Sequence, residues 1–223
     1  MSRARIARTA GALCLALAFT VFASPAFACS RGYSYAGLYA SRPTGGIAAS
    51  LTMLDTPVVS GGHVAAWVGI GGPGLGPNGS DEWLQVGIAS FDSSGGRLYY
   101  EVAVPGQEPR FVELAAAIEP GQTVRVALLE LPFAPGTWVI VTPAGLAGPF
   151  FLPRSDGAWA PVATAESWAA GGSRCNRSSY RFGRVELAGG GGRWHTLRHG
   201  SRLQDPGWRL HRYSPATFSA SAV

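Results

Sequence analysis

Apolar and polar positions alternate with a period of two through most of this chain. They fall in short runs of β-branched and aromatic residues, separated by clusters of Gly, Pro, Asn, Asp and Ser. Alternation over a few residues marks a half-buried strand, and turn clusters at short intervals mark an all-β sandwich. The pattern predicts strands at Ala48–Leu54, His63–Ile70, Glu82–Ser90, Leu98–Val104, Arg110–Leu114, Thr123–Leu131, Thr137–Thr142, Phe150–Leu152, Tyr180–Leu187 and Trp208–Tyr213. No stretch carries an amphipathic helix pattern. Gly71–Asp81, Asp92–Gly96 and Gly189–Gly192 read as loops, the last as a flexible spacer within one domain, and no internal repeat is visible.

Strand parity separates two faces, because successive side chains point to opposite sides. Val64, Ala66, Val68 and Ile70 form one apolar set, with His63 and Trp67 opposite. Leu84, Val86 and Ile88 form a second, and Leu98, Tyr100, Val102 and Val104 a third. The aliphatic faces must pack on another sheet. The other faces then carry Trp67, Trp83, Gln85, Tyr99 and Glu101, a composition suited to a binding groove. An ordinary solvent-facing sheet is the plain alternative.

The N-terminus changes the picture of where the chain works. Arg3, Arg5 and Arg8 precede an apolar run from Ala10 to Phe22 and a small-residue exit ending at Ala28. That is a secretory signal peptide, 1–28, and its apolar run is short for a membrane span, which takes roughly 20 residues. Residues 29–223 are then a single secreted domain beginning at Cys29. A lipid anchor on Cys29 is the alternative, disfavoured by the bulk of Phe27.

Losing the three leader arginines takes the formal charge from +5 to +2, so the overall balance does not point to nucleic acid. The charge left is uneven. An Arg-rich part, 174–212, follows an acidic body and makes an anionic cell-wall polymer a candidate partner; Arg side chains paired with the acidic body are the plain alternative. Cys14 leaves with the leader, so Cys29 and Cys175 form an even pair in an oxidising compartment, and a disulfide between them is expected. Sequons at Asn78 and Asn176 matter only in a host that glycosylates.

Familiar catalytic engines are missing. The four His show no HExxH, and His195 with His199 is a weak pair in a Gly- and Arg-rich segment, so no metal site is expected. GxSxG, Walker and dinucleotide glycine patterns are absent, and bridged cysteines leave no thiol nucleophile. Carboxylate chemistry with amide or aromatic helpers remains.

Against that background, Ala66-Trp67-Val68-Gly69-Ile70-Gly71-Gly72, Leu84-Gln85-Val86-Gly87 and Tyr99-Tyr100-Glu101 resemble, in order, the WVGIDG, LQTG and WYEW segments of the eqolisin family of glutamic peptidases. Ala165-Glu166 and Phe182-Gly183-Arg184-Val185 are similar to that family's AEW and FGSV segments. The resemblance runs over nearly all of the chain after the leader, to a closing strand pair around Asp205-Pro206-Gly207, and suggests a divergent, bacterial-type member of the scytalidoglutamic-peptidase kind. It implies a concanavalin A-like jelly-roll sandwich of two curved antiparallel sheets, with a peptide bound on the concave face.

The resemblance further implies a catalytic dyad of Gln85 and Glu166. The carboxylate would activate a water and return the proton to the leaving amine, and the amide would steady the oxyanion. Trp67, Trp83, Tyr99 and Glu101 would line the substrate groove, with no cofactor. A polar residue on a wet strand face, for Gln85, and a loop carboxylate paired with an Arg, for Glu166, are the plain readings.

The chain also departs from the family. Gly71 and Ala89 stand where the family has acids, Ser167 separates Glu166 from Trp168, and a further family Glu falls near Ala170. Lost supporting groups can cost orders of magnitude in rate. Three functions therefore compete. The first is a secreted, monomeric, acid-acting endopeptidase on polypeptides; the second is an inactive sandwich that binds peptide or carbohydrate; the third is a surface structural protein.

Overall fold

The computed structural model describes residues 31–154, 159–172, 174–189 and 192–222. The leader assigned to 1–28 and Cys29 lie outside the described residues. The described strands, in chain order, are β1 (Gly32–Ala40), β2 (Gly46–Met53), β3 (Gly62–Gly72), β4 (Glu82–Ser90), β5 (Gly96–Ala103), β6 (Arg110–Ile118), β7 (Thr123–Glu130), β8 (Thr137–Thr142), β9 (Gly145–Phe151), β10 (Val162–Ala169), β11 (Ser178–Ala188), β12 (Trp194–Thr196), β13 (Gly200–Gln204), β14 (Trp208–Ser214) and β15 (Thr217–Ala222).

They form the expected sandwich of two antiparallel sheets. One runs β13-β1-β10-β3-β4-β5-β6; the other runs β14-β15-β11-β2-β7-β8-β9, with β12 paired to β11. The apolar sets read from parity on β3, β4 and β5 are buried between the sheets. They meet Ile47, Leu51, Met53, Val126, Tyr180, Phe182 and Phe218 from the second sheet. Each fully buried aliphatic side chain there contributes about 1.5–3 kcal/mol. Val104 is the exception to the reading, since β5 ends at Ala103 and Val104 is only partly buried.

Five strands carry too weak a pattern to be read from sequence: β1, β10, β12, β13 and β15. β1 is Gly-, Ala- and Tyr-rich, and β10 has Ala at three of its eight positions. Their small residues are packing requirements. A Cβ on Gly37 of β1 would meet the Ala163 carbonyl oxygen of β10 at 2.1 Å. Pairing on both sides holds these strands despite poor propensity, because strand preference is mostly context. Two expectations change as a result. The stretch before Ala48 contains strand β1, and Glu166 lies within a strand in the middle of its sheet rather than in a loop. Of the expected spacer at Gly189–Gly192, residues 190 and 191 lie outside the described residues; Gly189 N–H donates to the Arg193 carbonyl at 2.8 Å, just ahead of β12.

Two ties brace the sheet that carries Glu166. Asp205 accepts from Tyr35 N–H at 2.8 Å, clamping the chain after β13 onto β1. Asn176 is buried; its amide donates to the Gly61 and Trp168 carbonyls at 3.0 Å and accepts from Ser60 N–H at 2.9 Å. The second sequon is therefore a structural joint between the start of β3 and the end of β10.

Candidate active site

The face of the first sheet turned away from the core gathers the predicted groove residues by register. Gln85 on β4 pairs with Glu101 on β5 and with Gly69 on β3. Trp67 on β3 pairs with Gly87 and with Thr164 of β10, while Glu166 pairs with Ala65 on one side and Tyr35 on the other. Glycine at 87 allows the close approach, since a Cβ there would meet the Ala66 carbonyl oxygen at 2.0 Å.

Glu166 is 5% exposed, and each carboxylate oxygen has a donor. His63 Nε2 lies 2.8 Å from Oε1, and Trp67 Nε1–H donates to Oε2 at 3.0 Å. Those bonds offset the cost of burying the charge. Among the described residues the partners of Glu166 are thus an imidazole and an indole, and not an arginine. His63 is itself held among aromatic rings: Trp168 stacks at 6.0 Å, Phe91 lies at 5.6 Å and Tyr33 at 6.1 Å between centroids.

A cavity of about 350 Å³ opens beside this pair, lined in part by His63, Gln85, Tyr99, Glu101, Phe91 and Phe111. Gln85 Nε2 donates to the Tyr99 hydroxyl at 3.1 Å and to Glu101 Oε2 at 3.3 Å. The Gln85 amide therefore leans toward β5, and among the described residues no hydrogen bond joins it to Glu166. β3 runs between their strands, so two strand spacings, about 10 Å, separate β4 from β10.

Electrostatics divide the carboxyls. Burial pushes the Glu101 carboxyl above the usual carboxylate range, and the charge of Glu166 adds to the rise; His63 and the Trp83 indole oppose it. Burial and then Glu166 raise the Tyr33 and Tyr35 hydroxyls as well. Tyr99 is also raised, by burial first and then by Glu166 and Glu101, with the Gln85 bond opposing.

The other groove residues have distinct places. Trp67 and Trp83 are half-buried, Trp83 toward the far end opposite Ala103 and Gly71. Tyr99 faces the groove but is 1% exposed, covered by Phe111 at 4.8 Å, so it is floor and not an open wall. Ala89 belongs with Ala65, Tyr99 and Trp67 to a small apolar layer under the site. Gly71 has φ +77°, and a Cβ there would meet the Glu82 carbonyl oxygen at 2.2 Å. Position 89 is thus part of an apolar floor, and at position 71 the backbone leaves no room for a side chain.

Parity placed His63 on the Trp67 face, yet the residue pattern gave it no role; its contact with Glu166 crosses from β3 to β10 and has no sequence signal. Tyr33 and Tyr35 carry no sequence signal because β1 lacks a clear alternation, and Phe111 stands near the start of β6, a strand with little alternation. The register sets Arg181, Arg209 and His211 on the opposite sheet, on the face shared with Thr52 and Ser219, away from this cavity.

No protein-family model matches the sequence, and no curated protein matches it. Among solved structures the chain is similar to scytalido-glutamic peptidase with a peptide-based transition-state analogue, at TM-score 0.57 and 16% identity over 86% of this chain and 98% of that one. A second structure of scytalido-glutamic peptidase, with a transition-state analogue inhibitor, gives TM-score 0.57 and 16% identity over 85% and 98%. SCP-B, a member of the Eqolisin family of peptidases in a complex with the tripeptide Ala-Ile-His, gives TM-score 0.54 and 16% identity over 86% and 98%. At this identity the likeness establishes the fold.

Proposed function

We propose that this protein is a secreted hydrolase of peptide bonds that works in acid on extracellular polypeptides, without a cofactor, after loss of residues 1–28. The observation that carries the reading is a buried carboxylate, Glu166, held by Trp67 and by His63, the latter lining a cavity that presents the Gln85 carboxamide and the Glu101 carboxyl. An ionised carboxylate has about four acceptor sites, so two donors leave room for a water. Glu166 takes a proton from that water as its oxygen bonds to the scissile carbonyl carbon. The carbonyl oxygen becomes an oxyanion, and the Gln85 carboxamide, once turned from Tyr99 and Glu101, is the group assigned to donate to it. As the C–N bond breaks, the proton passes from Glu166 to the leaving amine.

His63 is a positioning residue in this scheme, fixing the direction of the Glu166 carboxylate. The departures at Gly71 and Ala89 favour a second reading, a peptide- or carbohydrate-binding face built on the same aromatic groove. Incubation of the secreted protein with a denatured protein substrate from pH 2 to 7 separates the two. Hydrolysis by the wild type and none by Glu166→Gln supports the enzyme. No cleavage at any pH, with peptide or glycan binding that is lost in Trp67→Ala and Trp83→Ala, supports the binder.

A further inference from the structure

The Gln85 amide nitrogen has two hydrogens, and both are engaged: one on the Tyr99 hydroxyl, one on the Glu101 carboxylate. In that arrangement Gln85 has no N–H left to offer a substrate carbonyl. A carboxamide carries its acceptor and its donor on opposite arms, so a half-turn about its terminal torsion exchanges them. The turned amide would place Oε1 against Tyr99 and Glu101, and it is stable only if both can donate. Tyr99 always can, because a hydroxyl both donates and accepts. Glu101 can donate only when it carries a proton.

We propose that Glu101 is a proton-controlled positioning residue for Gln85: with Glu101 protonated, Glu101 and Tyr99 both donate to Gln85 Oε1, and the Gln85 NH₂ turns into the cavity. The register supports this, since Gln85 and Glu101 are direct cross-strand partners and cannot drift apart while β4 and β5 remain paired. The inference rests on the hydrolase reading only for its kinetic consequence; the amide turn is a property of the free protein.

The surroundings of Glu101 favour its protonated form more than those of an ordinary surface carboxyl. Around it on the same face stand Tyr33 and Tyr35 from β1, His63 from β3, Tyr99 from β5 and Glu166 from β10. Glu113 of β6 lies beyond, and Arg97 of β5 is 3.1 Å from it, so that cation is occupied. Burial and the Glu166 charge both favour the protonated Glu101 carboxyl; His63 and Trp83 limit the effect. No group on this list turns the Gln85 amide in Glu101's place, because Glu101 and Tyr99 are its two partners.

The test is a pH titration of the Gln85 side-chain amide by ¹⁵N–¹H NMR on the full secreted protein, the resonance being identified by its loss in Gln85→Ala. Hydrolysis of a denatured protein is measured alongside. The expected result is one titration step in the Gln85 amide that coincides with the Glu101 carboxyl, and hydrolysis that declines on its alkaline side through the same step. In Glu101→Gln the new amide donates at every pH, so the step disappears and the alkaline decline moves up or is lost. A wild-type Gln85 amide that does not move while Glu101 titrates overturns the proposal, whatever the fate of the variant. A step that persists in a folded Glu101→Gln also overturns it. If the step is present but no hydrolysis occurs at any pH, the positioning role stands and the hydrolase reading fails. If hydrolysis occurs without the step, the reverse holds.

Discussion

His63 Nε2 lies 2.8 Å from Glu166 Oε1, although 103 residues separate them in the chain and neither is the other's partner in the strand register. Glu166 sits opposite Ala65, and His63 opposite Trp168. The small Ala65 leaves the diagonal open, and Trp67 closes the other side of the carboxylate at 3.0 Å. A carboxylate buried to this degree depends on such donors.

Removing one partner of a buried, bonded charge costs about 1–3 kcal/mol. His63→Ala is therefore expected to lower stability on that scale in chemical denaturation at neutral pH. Combined with Glu166→Gln, the losses should add to less than their sum, with a coupling energy of about 0.5–3 kcal/mol. Strict additivity in the cycle would show that the contact does not stabilise the fold.

Gln85→Ala is expected to slow hydrolysis by roughly 10²–10³, the scale for one lost oxyanion donor. Far-UV circular dichroism should remain unchanged, since Gln85 faces the cavity and not the core. Inhibitors built to span two aspartates that share a proton should be poor, because Glu166 is paired with His63 and Trp67. Wild-type rates in Gln85→Ala would remove Gln85 from the reaction.

Stability should decline as pH rises from mild acid. Glu82 is fully buried, accepts from Arg154 N–H at 2.9 Å through Oε1, and has no donor to Oε2 among the described residues. Burial raises its carboxyl above the ordinary value of 4.5, with the Arg154 contacts opposing, and Glu101 is raised as well. A carboxyl raised in the folded state favours folding fully below its unfolded pKa, and that contribution is lost as pH climbs through the folded pKa. Thermal unfolding followed from pH 4 upward should show a falling midpoint, and Glu82→Gln should flatten the fall. A midpoint that climbs over this range would contradict the assignment.

The secreted protein is expected to begin at Cys29 and to carry a Cys29–Cys175 disulfide. Intact mass and non-reducing peptide mapping check both points. Two free thiols in freshly secreted material would refute the bridge.

Much of this architecture is legible from alternation alone. Where β-branched and aliphatic residues recur every second position, as along β3, β4 and β5, the buried face is determined by the need to remove those side chains from water. The same parity puts Trp67, Gln85, Tyr99 and Glu101 together on the other face without reference to any relative. Parity could not show that Glu166 is held within a strand, because β10 is built from Ala, Thr and Ser and owes its form to β1 and β3 on either side. Nor could it show that Tyr99 is covered by Phe111, that Ala89 is part of an apolar floor, or that His63 reaches Glu166. Those are contacts between residues distant in the chain, set by register and by where small side chains leave space. A strand's pattern records which way each side chain points; only the packed sheet decides what it meets there.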